Sequence, residues 1–327
     1  MATTDLVLEG GGAKLPGLVG AVESLADAGY GFHRIAGTSA GAIVGALTAA
    51  GLPPDTLRQR VLEQDFTAFE DISPAFRLLP WLGKVQGLLL HKGMYLGDAL
   101  HDFLAEALAA QGVRTWSDLR LDDPDGAIPP ERSYRLVVIV SDVSRGRMLR
   151  LPWDYRDALG VDADSQSVAE AVCASAASPF FFRPRSLCAR EDVAGGTSVL
   201  GADGGLLSNF PVDVFDRKDS RPARWPTFGV MLSARHTAAT QWQPNATTYQ
   251  YAKSLLTTML NAHDRRHIDD PSVTERTVFV DTSGHSTTDF ALSEAAKIDL
   301  ISSGRQAGEK FLARWDWKRW KERFDRV

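Results

Sequence analysis

Gly37-Thr38-Ser39-Ala40-Gly41 constrains this chain more than any other stretch. A short apolar run, His33–Ala36, precedes it and predicts a strand. Ala42–Ala50 follows with helical character, closed by Gly51 and then Pro53-Pro54. A sharp strand-to-helix turn forces its central residue into a strained conformation. Glycines on both sides let the backbone pass without Cβ clashes. The Ser39 hydroxyl is thereby held out of the turn, at a helix N-terminus that favours developing negative charge. A plainer reading is that Ser39 only caps the helix.

A second glycine cluster, Gly10-Gly11-Gly12-Ala13-Lys14, follows the predicted strand Asp5–Leu8 and precedes a predicted helix over Pro16–Ala28. Such a loop can aim backbone N–H groups at an anion. One candidate anion is a nucleotide phosphate, which would make the chain a nucleotide-binding module. The dinucleotide fingerprint wants a third glycine where Leu15 stands, and a P-loop wants Ser or Thr after the lysine, where Leu15-Pro16 follows Lys14. The other is the oxyanion of acyl transfer. Each backbone donor to such an oxyanion is worth roughly 3 kcal/mol of barrier.

The remainder alternates strand and helix signals. Tyr134–Val140 and Met148–Leu151 read as a strand pair, and Thr227–Leu232 and Thr277–Asp281 as further strands. Asp98–Ala110 and Ser165–Ala177 read as helices. The alternation predicts an α/β fold around a mainly parallel central sheet. At 44% hydrophobic and 24% charged residues, the chain has the balance of a globular protein with a sizeable core. A net charge of −5 gives no reason to expect nucleic acid as a partner. Two cysteines, Cys173 and Cys188, are no disulfide framework and fit a reducing cytoplasm. Residues 1–8 have neither a basic start nor a long apolar run, so no secretory leader is expected. The apolar stretch Ala40–Ala50 is too short to span a bilayer.

A serine nucleophile needs a base. None of the seven histidines (His33, His91, His101, His236, His263, His267, His285) stands out by its setting. The turn follows only about two strands, too early for the usual hydrolase triad order, although His263 remains a formal candidate. Asp203-Gly204-Gly205 offers a carboxylate instead. An aspartate is a weak base at its ordinary value of ~3.9, and desolvation would strengthen it. An ordinary Asp-Gly turn is the plainer reading.

Taken in order, these blocks resemble the patatin-like phospholipases, in particular their compact bacterial members. Leu8-Glu9-Gly10-Gly11-Gly12-Ala13-Lys14 is similar to that family's oxyanion loop, Gly37-Thr38-Ser39-Ala40-Gly41 to its nucleophile elbow, and Asp203-Gly204-Gly205 to its Asp-Gly-Gly motif. Asn209-Phe210-Pro211, Lys92-Gly93-Met94-Tyr95 and Ala174–Pro179 add to the likeness, which spans residues 4–315 as one catalytic domain. The resemblance implies a three-layer α/β/α sandwich and a Ser39–Asp203 dyad without histidine. It also implies an oxyanion hole around Gly11 and Gly12, hydrolysis of lipid esters, and no metal or cofactor. A catalytically silent protein with the same shell is the alternative. One departure is Leu15, where the family usually has glycine, so the exit of the loop must differ. Residues 66–95, apolar but broken by Pro and Gly, are a possible cap over the serine. The tail 316–327 mixes basic and aromatic residues and is a possible site of peripheral membrane contact.

Overall fold

The computed structural model describes residues 2–73, 80–123, 128–217, 221–232 and 270–324. His236, His263 and His267, residues 74–79 of the possible cap, 124–127 of the loop after Asp122, and 325–327 of the tail lie outside the described residues.

The strands are Ala2–Leu8 (β1), Tyr30–Thr38 (β2), Gly93–Tyr95 (β3), Leu136–Asp142 (β4), Arg147–Leu151 (β5), Phe180–Phe182 (β6), Arg185–Cys188 (β7), Ser198–Asp203 (β8), Thr227–Met231 (β9) and Thr277–Phe279 (β10). The longer helices are Leu15–Asp27 (α1), Ala40–Ala49 (α2), Pro54–Glu63 (α3), Pro80–His91 (α4), Asp98–Ala109 (α5), Val168–Ser175 (α6), Glu294–Leu312 (α7) and Trp317–Phe324 (α8). A sheet in the order β10-β9-β1-β2-β4-β8-β7 runs through the molecule, and β5 also pairs with β4. The pairs from β10 to β4 are parallel, and those of β4 with β5 and β8 are antiparallel. The fold is therefore the expected mostly parallel sheet flanked by helices.

Burial follows from strand alternation, in which successive side chains point to opposite faces. Phe228 of β9 packs edge-on against Phe311 of α7 on one face. On the other face, a Cβ at its neighbour Gly229 would come within 2.4 Å of the Phe210 ring. Strand β4 is apolar from Leu136 to Val140 and fully buried, as a central strand covered on both faces must be. Helix α1 crosses α7 at backbone distance: a Cβ on Gly304 would lie 2.0 Å from the Gly17 carbonyl oxygen.

The predicted helix over Pro16–Ala28 is α1, ended by Gly29 at a φ of 85°. Strands β3, β6 and β7 carry no signal that the sequence reading caught. Each is three or four residues long, and β3 and β6 pair with each other across more than eighty residues of chain.

Candidate active site

The site lies at the C-terminal ends of β1 and β2, and the register of β4 explains how. Leu136–Ile139 of β4 pairs with β2, and Val140–Asp142 pairs with β8. Strand β5 pairs with Val138–Asp142 and so occupies the opposite edge. Strands β2 and β8 thus share one edge of β4 and meet end to end. Thr38 pairs with Ile139, and Asp203 pairs with the next residue, Val140. The residue after Thr38 is Ser39. Two strand ends abutting on one template strand bring residues 39 and 203 together.

Ser39 has a φ of 51° and a ψ of −119°, a strained conformation for a residue with a side chain. The turn is tight: a Cβ on Gly37 would lie 2.3 Å from the Gly41 carbonyl oxygen, and one on Gly41 would lie 2.3 Å from that of Leu8. Both glycines are therefore obligatory. The Ser39 hydroxyl makes no capping bond to α2, which removes the plain helix-cap reading. It donates instead to Asp203 Oδ2 at 3.1 Å.

Asp203 is buried at the end of β8. Its Oδ1 accepts from the Gly205 N–H at 2.9 Å, and its Oδ2 accepts from the Ser178 hydroxyl at 3.2 Å as well as from Ser39. Burial pushes its carboxyl up to about 6, against the three hydrogen bonds, which favour the charged form. This is the direction needed in a carboxylate that takes a proton near neutral pH. Gly204 sits where a Cβ would come within 2.2 Å of the Ile139 carbonyl oxygen, so the turn after Asp203 rests directly on β4.

The glycine loop closes the other side. A Cβ on Gly10 would lie 3.3 Å from the Ser39 Cβ. The loop is held by Asn209: the Gly10 N–H donates to the Asn209 carbonyl at 3.1 Å, and the Asn209 side chain donates back to the Gly10 carbonyl at 3.3 Å. Glu9, also buried, accepts from Asn209 Nδ2 and from the Leu232 N–H. At Gly12 the φ is +54°, and a Cβ there would lie 2.2 Å from the Thr287 carbonyl oxygen. The bonds that anchor this loop come from Gly10, Ala13 and Lys14. Among the described residues, the N–H groups of Gly11 and Gly12 donate none of these backbone bonds.

Lys14 is brought to the loop but not to the dyad. The charges that act on it are Glu9 and Asp281, and burial pulls its ammonium below the ordinary range. Leu15 is buried and lines a narrow apolar pocket with Ile43, Leu47, Phe66 and Phe103. The side chain at this position is therefore packed against α2, on the apolar side of the loop's exit.

Two serines were not assigned from the sequence, although both fall in the Ala174–Pro179 stretch. Ser175 accepts the Ser39 N–H at 2.9 Å, and Ser178 holds Asp203. Small polar residues after an apolar helix carry no distinctive pattern, so their roles became visible only with the partner in place. Of the described histidines, His33 packs on Trp225, His101 pairs with Asp102 and Glu170, and His285 with Asp299. A cavity of about 710 Å³ opens elsewhere, beside Pro226 and Thr227 at the start of β9, and none of Gly10, Gly11, Gly12, Ser39 or Asp203 lines it.

The tail forms α8, docked by its aromatic side. Trp317 stacks between Trp315 and Trp320, and Trp320 Nε1 donates to the Ser272 carbonyl at 3.1 Å. Among the described residues, no helix is long and apolar enough to cross a membrane.

A family model described as patatin-like phospholipase matches residues 6–216. The chain is 33% identical over 314 residues to the uncharacterized protein YqhO of Bacillus subtilis (strain 168), covering 95% of this chain and 98% of that one. Among solved structures it is similar to VipD from Legionella pneumophila, with a TM-score of 0.52 and 16% identity, over 95% of this chain. It spans 66% of VipD's own length, and the likeness there is one of fold.

Proposed function

The chain belongs to the patatin-like phospholipase family, and from that premise we propose that it hydrolyses carboxylic esters of phospholipids or related lipids through Ser39 and Asp203. The observation that carries the reading is the 3.1 Å hydrogen bond from a conformationally strained serine to a buried carboxylate.

In this reading Ser39 Oγ attacks the ester carbonyl carbon while its proton passes to Asp203 Oδ2. The carbonyl oxygen becomes an oxyanion facing the N–H groups of Gly11 and Gly12, with the N-terminus of α2 adding its dipole. Collapse of the intermediate breaks the bond to the alcohol, which leaves with the proton from Asp203. Water then attacks the acyl-serine, giving a proton to Asp203. The second collapse releases the fatty acid and returns that proton to Ser39. Gly37, Gly41 and Gly204 act by letting the two turns approach, and the Gly205 N–H holds Asp203 Oδ1. Ser178 keeps Asp203 aimed.

A fluorophosphonate probe tests the assignment. Wild-type protein is labelled stoichiometrically, Ser39→Ala is not, and Asp203→Asn is labelled slowly. Equal labelling of Ser39→Ala and wild type would overturn it. A panel of ester lipids assayed alongside identifies the head group and the position cleaved.

A further inference from the structure

Helix α4 is built inside out. In a surface helix of a globular protein the large apolar side chains face the core. Here Gly83 and Gly87, one turn apart, are the buried positions. A Cβ on Gly87 would lie 2.6 Å from the Gly93 carbonyl oxygen, so the helix rests its backbone directly on β3. The large side chains point away: Trp81 is 63% exposed, Leu89 76% and Leu90 65%, with Val85 and Leu88 also exposed. Beside them stands Phe180, 52% exposed, whose strand β6 pairs with β3. Most of the large exposed apolar side chains among the described residues gather here. Large exposed apolar side chains grouped on one helix and on the strand paired with its β3 support mark a surface that something else covers.

The Phe180 end of this surface is tied to the site. Two residues before Phe180 is Ser178, which donates to Asp203. The charges on and next to α4 point to one occupant. The helix has no acidic residue, Lys84 lies within it, and Lys92 follows it. Lys84 lays its stem along the protein, with Nζ 5.0 Å from the centre of the Tyr95 ring. Apolar side chains flanked by lysines are what a helix needs to lie in the headgroup region of an anionic bilayer.

We propose that α4 and Phe180 form a membrane-docking surface that seats the mouth of the Ser39 site on an anionic lipid surface. The inference rests on the lipid-ester reading above for its choice of occupant. Trp81, Leu89 and Leu90 enter the acyl boundary, Lys84 and Lys92 meet the headgroups, and an ester bond is presented beside Ser39 without leaving the lipid phase.

The test is co-sedimentation of the full chain with phosphatidylcholine vesicles, with and without phosphatidylglycerol. The intact protein is compared with Trp81→Ser/Leu89→Gln/Leu90→Gln and with Ile298→Gln, a matched change at an exposed apolar position on α7. The Ser39→Ala background is used throughout, so that binding is read without hydrolysis. The expected result is binding favoured by phosphatidylglycerol, a loss of about tenfold or more in the triple variant, and no loss in Ile298→Gln. Circular dichroism and turnover of a water-soluble ester by the triple variant carrying Ser39 should match wild type. Equal binding by all proteins, or no binding by the parent, overturns the proposal. So does a parent that is dimeric in size-exclusion chromatography while the triple variant is monomeric, because a second copy then covers the face. If vesicles bind but Ser39 proves unreactive, the docking surface stands and the hydrolase reading falls.

Discussion

Asp203→Asn removes a charge that the fold holds against its solvation. Burial raises the Asp203 carboxyl from 3.8 to about 6. At 1.36 kcal/mol per pH unit, the ionised carboxylate costs about 3 kcal/mol of folding free energy. Because the proton is held more tightly in the folded chain than in the unfolded one, this cost is absent below about pH 4, grows between about 4 and 6, and is complete above that. Asparagine has the same shape and no proton to lose. Its carbonyl can still accept from Gly205, and its amide can donate to the hydroxyls of Ser39 and Ser178. The variant should therefore be more stable than wild type at neutral pH, by an amount that depends on pH. Urea unfolding of both proteins at about pH 5 and about pH 8 should show the gap widening by about 1 kcal/mol, roughly half of the cost, which falls between those values. The same substitution should lower ester turnover by about 10²–10⁴-fold. A stability gap that is flat or narrows toward alkaline pH would refute the reasoning, because Asp203 would then not be a desolvated carboxylate. A variant with full turnover would remove it from the chemistry.

Three further outcomes are expected. Ser178→Ala removes one of the donors to Asp203 Oδ2, so the acid limb of the kcat/KM profile, expected near pH 6 from Asp203, should move up by about 0.5–1 pH unit; an unmoved limb rejects the positioning role. Gly12→Ala must place a methyl at positive φ and 2.2 Å from the Thr287 carbonyl oxygen. It should lower kcat for a soluble ester by about 10²-fold, with the serine still reactive to a small probe. Gly304→Ala pushes α7 off α1, where the Cβ would lie 2.0 Å from the Gly17 carbonyl oxygen. Unfolding free energy in urea should fall by about 1–3 kcal/mol or more.

Local chemistry made part of this molecule legible in advance. Glycines at 37 and 41 around a serine, between an apolar run and a small-residue helix, fit few structures other than a strained strand-to-helix turn. The chain indeed holds Ser39 at a positive φ. The glycine loop was readable for the same reason: only residues without a Cβ allow backbone to approach backbone so closely, as at Gly10 and Gly12. Elements with strong periodicity, such as α1 and α5, were equally visible. Three-residue strands such as β3 and β6 were not, because their pairing comes from residues far along the chain.

What sequence alone determined was thus the character of each loop: which turn is strained, which loop can face an anion, and that an acid precedes two glycines. It did not determine that these meet. Asp203 lies next to Ser39 because β2 and β8 end against each other on a single edge of β4, at Ile139 and Val140. Strand pairing across long separations is a property of the assembled sheet, and no local pattern encodes it. Burial of the carboxyl, and with it the strength of the base, comes from the same assembly. The outward apolar face of α4 is a further case, since from the sequence residues 66–95 are only an apolar stretch broken by Pro and Gly, a possible cap, with no helix face assigned. Only the backbone contact at Gly87 turns that face to the outside.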